Sequence, residues 1–188
     1  MTTKDKIYNV GTRLFRAKGF TATSMQELAD QVGIKAASIY NHFDSKHAIL
    51  EDLLLKGAQM FVQGMSGISA STLPATEKIE KLIGLHVQLT IAHTDLMSLM
   101  ATEWRHLEGG ALNHYVSERD SYEKEFRSIL KQAIDDGELI HIDVDIAVFS
   151  ILTTLKWFYS WYDKHSDLNP FDLEKYLIQC LLGGLRRK

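Results

Sequence analysis

The sequence predicts an all-α protein in which a small N-terminal unit of three helices precedes a larger helical body. Leu, Ile, Ala, Glu and Lys are frequent and only 2 Pro occur among the 188 residues, a composition that favours helices. Apolar residues recur at three- and four-residue spacing, as on the buried face of a helix. Glycine, serine and aspartate stand at the ends of these stretches, where helices start and stop.

Composition excludes several classes of protein. A hydrophobic content of 45% supplies a sizeable core and argues against disorder. The single cysteine, Cys180, excludes a disulfide framework and multi-cysteine zinc sites, and fits a reducing compartment. No apolar signal segment follows Met1, and the most apolar stretch, 144–162, contains Asp145 and Lys156, so it is too polar for a membrane span. We therefore expect a soluble, cytoplasmic protein with no membrane partner.

Charge is unevenly distributed along the chain. The net charge is −3, but residues 1–50 contain seven Lys or Arg against four Asp or Glu, a net +3, and residues 51–188 carry −6. A basic head on an acidic body suits a protein that docks on nucleic acid through its head. Chance asymmetry is the alternative explanation.

The first two helices have clear local signals. A stripe of apolar and small residues predicts the first helix, and Gly19 in a left-handed conformation ends it. The stripe consists of Ile7, Val10, Gly11, Leu14 and Phe15. Phe20 then packs back on the core. Ser24 and Glu27 form a capping box for the second helix, which ends at Gly33.

A third helix is predicted from Ala36 to Asn41, and Ser45 caps a fourth. Two short helices joined by a tight glycine turn match a helix-turn-helix, which presents the start of its second helix to a DNA groove. Lys35 and Ser38 can donate to base edges or phosphates, and the methyls of Ala36 and Ala37 can touch a thymine methyl. Tyr40, His42 and Lys46 are spaced to reach the DNA backbone. The alternative is a generic three-helix unit with Tyr40 and Phe43 as core aromatics.

About forty residues of this region resemble the TetR family of transcriptional regulators. The matching residues are Leu14-Phe15, Gly19-Phe20, Thr23-Ser24, Leu28-Ala29, Val32-Gly33, Ser38-Ile39-Tyr40, His42-Phe43, Ser45-Lys46 and Leu50. The resemblance implies an all-α homodimer. It also implies that Thr23, Ser24 and residues 35–42, Asn41 included, face DNA, with Tyr40, His42 and Lys46 on phosphates. Lys35 departs from the small hydroxyl residue that the family often has there, so a side-chain cap is in doubt.

The rest of the chain predicts a body of five helices. A loop from Ser66 to Thr76 follows the fourth helix, and a helix runs from Ala75 to His93. The next helix extends from Thr94 past Leu107 and ends at Gly109-Gly110, and a long one covers 112–136. The predicted domains are a helix-turn-helix DNA-binding domain at 1–50 and a ligand-binding and dimerisation domain at 51–188.

The last two helices predict a dimer. Thirteen of the nineteen residues in 144–162 are apolar or aromatic, so almost every face of that helix needs cover. Asn169 caps the final helix, with Pro170 at its first position. Its apolar face consists of Leu173, Tyr176, Leu177, Cys180, Leu181 and Gly184. An isologous dimer interface accounts for these faces, as does packing on the body alone, and family members pair through these helices.

Metal and catalytic signals are weak. Eight His are present, but His86 and His93 lie two helical turns apart, too far to share one ion. Glu103 and His106 have the spacing of half a di-iron site, which needs a second copy that the chain lacks. We expect no metal, no cofactor and no enzymatic activity, and a helical oxidase is the rival class.

Large aromatics and cations on the body helices predict a small-molecule site, because such sites combine apolar walls with a few polar groups. The candidates are His86, Trp104, Arg105, Arg119, Tyr122, Phe126 and Trp157. Core aromatics and solvated arginines are the alternative. Three parts of the body resemble TetR regulators that respond to acyl-CoA thioesters. They are residues 103–107, the pair Arg119 and Tyr122, and the segment that contains Trp157 and Trp161.

The sequence therefore predicts a ligand-responsive repressor that binds a palindromic operator as a homodimer and is released by an effector. An acyl-CoA is the leading candidate for the effector. The rival ligand is a neutral or cationic aromatic compound, with Glu103 or Asp120 as its counter-ion. A DNA-organising protein without an effector is a further alternative.

Overall fold

A computed structural model describes residues 1–186 of the chain, and the all-α prediction is confirmed. The described residues form α1 (Thr3–Lys18), α2 (Met25–Val32), α3 (Ala36–Ile39), α4 (Lys46–Ser69), α5 (Ala75–Ala92), α6 (Thr94–Thr102), a 3₁₀ turn (Trp104–His106), α7 (Gly109–Asp135), α8 (Val144–Tyr162) and α9 (Pro170–Leu182). None of the described helices is both long and apolar enough to cross a membrane.

The chain divides into two compact units, each assembled from two stretches of sequence. The head unit contains Met1–Ala58 and Asp95–Val116. The body unit contains Gln59–Thr94 and the described residues from Ser117 onward. The predicted DNA-binding domain, 1–50, lies within the head unit, but α6 and the start of α7 belong to that unit too. The boundary at residue 50 stays a prediction about function.

Local chemistry explains most helix ends in the head. Thr2 and Asp5 form a reciprocal capping box at the start of α1, an N-terminus that the sequence pattern did not identify. Gly19 ends α1 with a φ of 85° but an extended ψ of 154°, so it is not the left-handed residue predicted. Gly33 does adopt the left-handed conformation. Ser24 caps α2 by accepting from the Glu27 N–H at 3.1 Å.

Two details of the predicted helix-turn-helix need correction. Only half of the predicted capping box forms, because the Glu27 carboxylate pairs with Lys18. Helix α3 ends at Ile39 rather than Asn41, so Tyr40 and Asn41 lie in the following turn. Phe43 is buried in the core while Tyr40 is 52% exposed, which contradicts the alternative in which both are core aromatics.

The predicted boundaries fail where tertiary packing overrides local composition. Helix α4 continues to Ser69, because Met65 and Ile68 pack against the body core and hold a serine- and glycine-rich segment in helix. Helix α6 ends at Thr102, so residues 96–107 are not one helix. Gly109 begins α7 instead of ending the preceding helix.

The body core contains aliphatic side chains of α5, α7 and α8 around Phe126, which is fully buried. Side chains cap the last two helices, and the predicted cap at Asn169 is confirmed. Asp143 accepts from two backbone N–H groups of α8, at 2.9 and 3.1 Å. Asn169 accepts from the Phe171 N–H at 2.9 Å, with Pro170 at the first position of α9.

Candidate nucleic-acid interface and interior binding site

The predicted recognition segment presents small and polar groups to solvent. Lys35 precedes α3 without a side-chain capping bond, since its ammonium can donate hydrogen bonds but cannot accept them. Lys35 and Ala37 are exposed and Ser38 is partly exposed. A cation and a small methyl at the start of a helix can approach the floor of a DNA groove.

The turn after α3 exposes three predicted DNA-facing residues, Tyr40, Asn41 and His42. The backbone here is fixed by hydrogen bonds from the N–H groups of His42 and Phe43 to the Ile39 carbonyl, at 2.8 and 3.0 Å. An exposed phenol on a rigid turn, not required by the core, is suited to donate to a phosphate.

Thr23 and Ser24 already have partners within the head. Thr23 is only 2% exposed, and its hydroxyl donates to the Gly19 carbonyl at 3.0 Å. Ser24 is exposed, and its hydroxyl oxygen caps α2. Their predicted contact with DNA stays a prediction, in which Ser24 is the more accessible of the two.

Lys46, predicted to contact a phosphate, is engaged inside the protein. Its ammonium donates to the backbone oxygens of Phe20, Thr21 and Thr23, at 2.7, 3.2 and 2.6 Å. It also lies 4.5 Å from the centre of the Phe20 ring. Desolvation lowers the pKa of Lys46. A phosphate contact would have to replace at least one of these carbonyls.

In the body unit, His86 and Tyr122 form a hydrogen-bonded pair. The His86 Nε2 lies 2.9 Å from the Tyr122 hydroxyl. The Phe61 ring covers both, with centroids 4.6 Å from His86 and 5.9 Å from Tyr122. Burial lowers the pKa of His86 to about 3 and raises the pKa of Tyr122. Both groups are therefore neutral at pH 7.

The other predicted ligand residues have different environments. Phe126 is part of the packed body core, Trp157 is 50% exposed on α8, and Arg119 is exposed and pairs with Asp120. Trp104 and Arg105 lie in the 3₁₀ turn of the head unit, where Trp104 stacks on Tyr115. Of the seven candidates, the structure thus places His86 and Tyr122 in direct contact.

Sequence reasoning missed Phe61 because it assigned no apolar stripe to α4. A signal is present: Phe61, Met65 and Ile68 follow the spacing of one helical face. All three lie in the part of α4 that belongs to the body unit.

Helices α8 and α9 present an exposed apolar surface, which we call the α8–α9 surface. On α8, Ile146 and Phe149 are three residues apart and Trp157 and Trp161 are four apart, spacings that place side chains on one face of a helix. The exposed members of this surface are Ile146, Phe149, Trp157, Trp161, Phe171 and Tyr176. Exposed large apolar side chains on two consecutive helices favour an interaction site over open solvent.

No cluster of three potential metal ligands occurs among residues 1–186. In Glu103 and His106, which have the half di-iron spacing, the His106 Nε2 lies 3.4 Å from the Glu103 carboxylate. Glu103 also accepts a hydrogen bond from the Phe20 N–H at 3.3 Å.

Two family models match the chain. The model described as bacterial regulatory proteins, tetR family, matches residues 7–53. The model of the tetracyclin repressor-like C-terminal domain matches residues 72–185.

Whole-length relatives are also found. The HTH-type transcriptional repressor KstR2 of Rhodococcus jostii (strain RHA1) is 26% identical, covering 97% of this chain and 90% of its own. The structure of the ketosteroid transcriptional regulator KstR2 of Mycobacterium tuberculosis superposes with a TM-score of 0.94 at 21% identity, over 100% of this chain and 96% of that one. The crystal structure of AibR in complex with isovaleryl coenzyme A and operator DNA superposes with a TM-score of 0.83 at 19% identity, over 95% and 97%.

Proposed function

This chain belongs to the TetR family of bacterial regulatory proteins, and on that premise we propose that it represses transcription from an operator until a small-molecule effector releases it. The observation that carries the proposal is the exposed recognition segment, 35–42, on a rigid helix-turn-helix. The full-length similarity to a transcriptional repressor supports it. The proposal assigns no catalytic step to the chain.

In this proposal the two edges of the recognition segment have different tasks. Lys35, Ala37 and Ser38 read base edges, because they lie at or near the start of α3. Tyr40 and His42 donate to phosphates and set the position of the head on the duplex without reading sequence. The test is selection from sheared genomic DNA by the wild-type protein. Enrichment of fragments with a two-fold symmetric sequence is expected, and equal recovery of all fragments would contradict the proposal.

We propose that a second copy of the chain covers the α8–α9 surface. A two-fold dimer uses the same surface on both subunits, and it presents two heads to the two halves of a palindrome. Leu177 and Leu181 are partly buried against the chain's own body core. They are therefore poorer probes of the interface than the outward-facing Phe149 and Tyr176, which are 69% and 58% exposed.

For the effector we propose an acyl-CoA thioester. The neutral His86–Tyr122 pair suits a neutral acceptor or donor such as a thioester carbonyl, and it does not suit a phosphate, which needs a cation. Arg119, in the same body unit as this pair, remains a candidate for phosphate through its forked donors. That AibR is a TetR-fold neighbour seen with isovaleryl coenzyme A and operator DNA supports the choice.

The competing effector is a hydrophobic cation held by Glu103 or Asp120. Glu103 already accepts from the Phe20 N–H and lies near His106, so Asp120 is the better counter-ion of the two. The AibR neighbour leads us to favour the thioester. Titrating short, long and aromatic acyl-CoAs and a set of hydrophobic cations against the operator complex separates the two classes. Release by cations alone would contradict the thioester assignment and leave the repressor proposal standing.

A further inference from the structure

Both backbone polar groups of Phe20, in the turn between α1 and α2, have side-chain partners within the head unit. The Glu103 carboxylate accepts from the Phe20 N–H at 3.3 Å. The Lys46 ammonium donates to the Phe20 carbonyl at 2.7 Å. Lys46 also donates to the carbonyls of Thr21 and Thr23, so its contacts span the whole turn.

The ring of Phe20 anchors the same turn. It is buried, and its centroid lies 5.3 Å from Phe15, 4.8 Å from His47 and 5.1 Å from His106. These neighbours come from α1, α4 and the 3₁₀ turn. The side chain and the backbone of Phe20 together therefore fix the turn against these three elements.

The turn ends at Ser24, the residue that caps α2, so its position sets where the helix-turn-helix begins. A lysine ammonium has three donor hydrogens, and the three carbonyls are enough to occupy all of them. A phosphate could be reached only by giving up one of these hydrogen bonds.

We propose that Lys46 and Glu103 are positioning residues for operator binding, which fix the α1–α2 turn by holding Phe20 and do not contact DNA. The inference rests on the proposed function, since it concerns affinity for an operator. It reassigns Lys46 from a phosphate contact to an internal support. It also assigns a role in DNA binding to Glu103, a residue 57 positions beyond Lys46 in the sequence and outside the segment that faces the groove.

Salt dependence of operator binding tests the proposal. Each phosphate contact contributes about 0.9 to the slope of log affinity against log salt. We expect Lys46→Gln and Glu103→Ala each to weaken binding roughly tenfold, equivalent to about 1.4 kcal/mol, without changing that slope. The matched comparison is Lys35→Gln, an exposed lysine of the same unit, which should change the ranking of operator variants because its proposed contact is with base edges. The DNA is a fragment that the wild-type protein selects from the genome.

A conservative variant and a local probe complete the test. Glu103→Gln keeps an oxygen that can accept from the Phe20 N–H, so it should restore affinity, and the Phe20 amide should exchange faster with solvent in Glu103→Ala but not in Glu103→Gln. A slope lowered by about 0.9 in Lys46→Gln would overturn the assignment of Lys46. Wild-type affinity together with wild-type protection of the Phe20 amide in Glu103→Ala would overturn the assignment of Glu103. This result decides the point even if Lys46→Gln does not fold. A wild-type protein that selects no fragment would contradict the proposed function itself.

Discussion

The neutral His86 makes the stability of the protein depend on pH in a way that one substitution removes. Its pKa falls from an ordinary 6.5 to about 3 in the folded chain, because the ring is desolvated beneath Phe61 and beside Tyr122. Below pH 6.5 the unfolded chain binds a proton at His86 that the folded chain does not. The contribution of His86 to the free energy of unfolding is therefore fully present above pH 6.5, and it is lost as the pH falls toward 3.

The magnitude follows from the shift in pKa. One unit corresponds to about 1.4 kcal/mol, and pH 5 lies about 1.5 units below the unfolded pKa, so lowering the pH from 7 to 5 should cost about 2 kcal/mol at this residue. The measurement is urea unfolding followed by circular dichroism at both pH values.

His86→Gln isolates this contribution, because a glutamine amide can hydrogen-bond to the Tyr122 hydroxyl but does not titrate. Between pH 7 and pH 5, the free energy of unfolding of the variant should fall by about 2 kcal/mol less than that of the wild type. His141→Gln, at an exposed histidine, is the matched control and should behave as the wild type. An equal loss in His86→Gln and the wild type would refute the argument that His86 is held neutral.

Four further predictions concern the DNA-facing segment, the α8–α9 surface, the body core and the His86–Tyr122 pair. Tyr40→Ala should weaken binding to all DNA sequences by a similar factor, whereas Lys35→Ala should change the ranking of operator variants; competition assays on a panel of single-base changes distinguish the two. Phe149→Lys should give a monomer by light scattering that keeps its helical circular dichroism spectrum, and a dimer of wild-type mass would contradict the assignment of the α8–α9 surface. Leu177→Lys should instead lower the melting temperature, because it places a charge against the body core at a cost of several kcal/mol; unaltered melting would show that the site is not part of that core. Tyr122→Phe should raise the acyl-CoA concentration needed to release DNA severalfold, since it removes one partner of a net bond of about 1 kcal/mol, and an unchanged titration would exclude the hydroxyl from effector recognition.

The features predicted correctly from sequence are those fixed by neighbouring residues. Ser24, Gly33 and Asn169 act on backbone groups within a few positions, so their side-chain chemistry identifies the helix ends. The prediction that α8 is apolar on almost every face also agrees with the structure, in which both buried and exposed apolar side chains lie along the helix.

The features that were missed depend on residues far apart in the chain. The three carbonyl partners of Lys46 lie more than twenty positions upstream, and nothing in the local pattern indicates that its ammonium points inward. The contacts of Phe61 depend on the tertiary structure, because α7 places Tyr122 beside His86. The extension of α4 through Ser69 likewise depends on packing of Met65 and Ile68, which outweighs the weak helix preference of glycine and serine.

The head unit is discontinuous in sequence, and this limits how the protein can be divided for engineering. Arg16 forms an ion pair with Asp95, and Phe20 relies on Glu103 and His106 from the same returning segment. A chimera made by grafting residues 1–50 onto a foreign sensor would sever these contacts, leaving a buried N–H without its acceptor and an aromatic ring without cover. A transferable DNA-reading module therefore has to include 95–116 as well. Such a graft has three junctions, one on either side of the intervening body segment and one after residue 116.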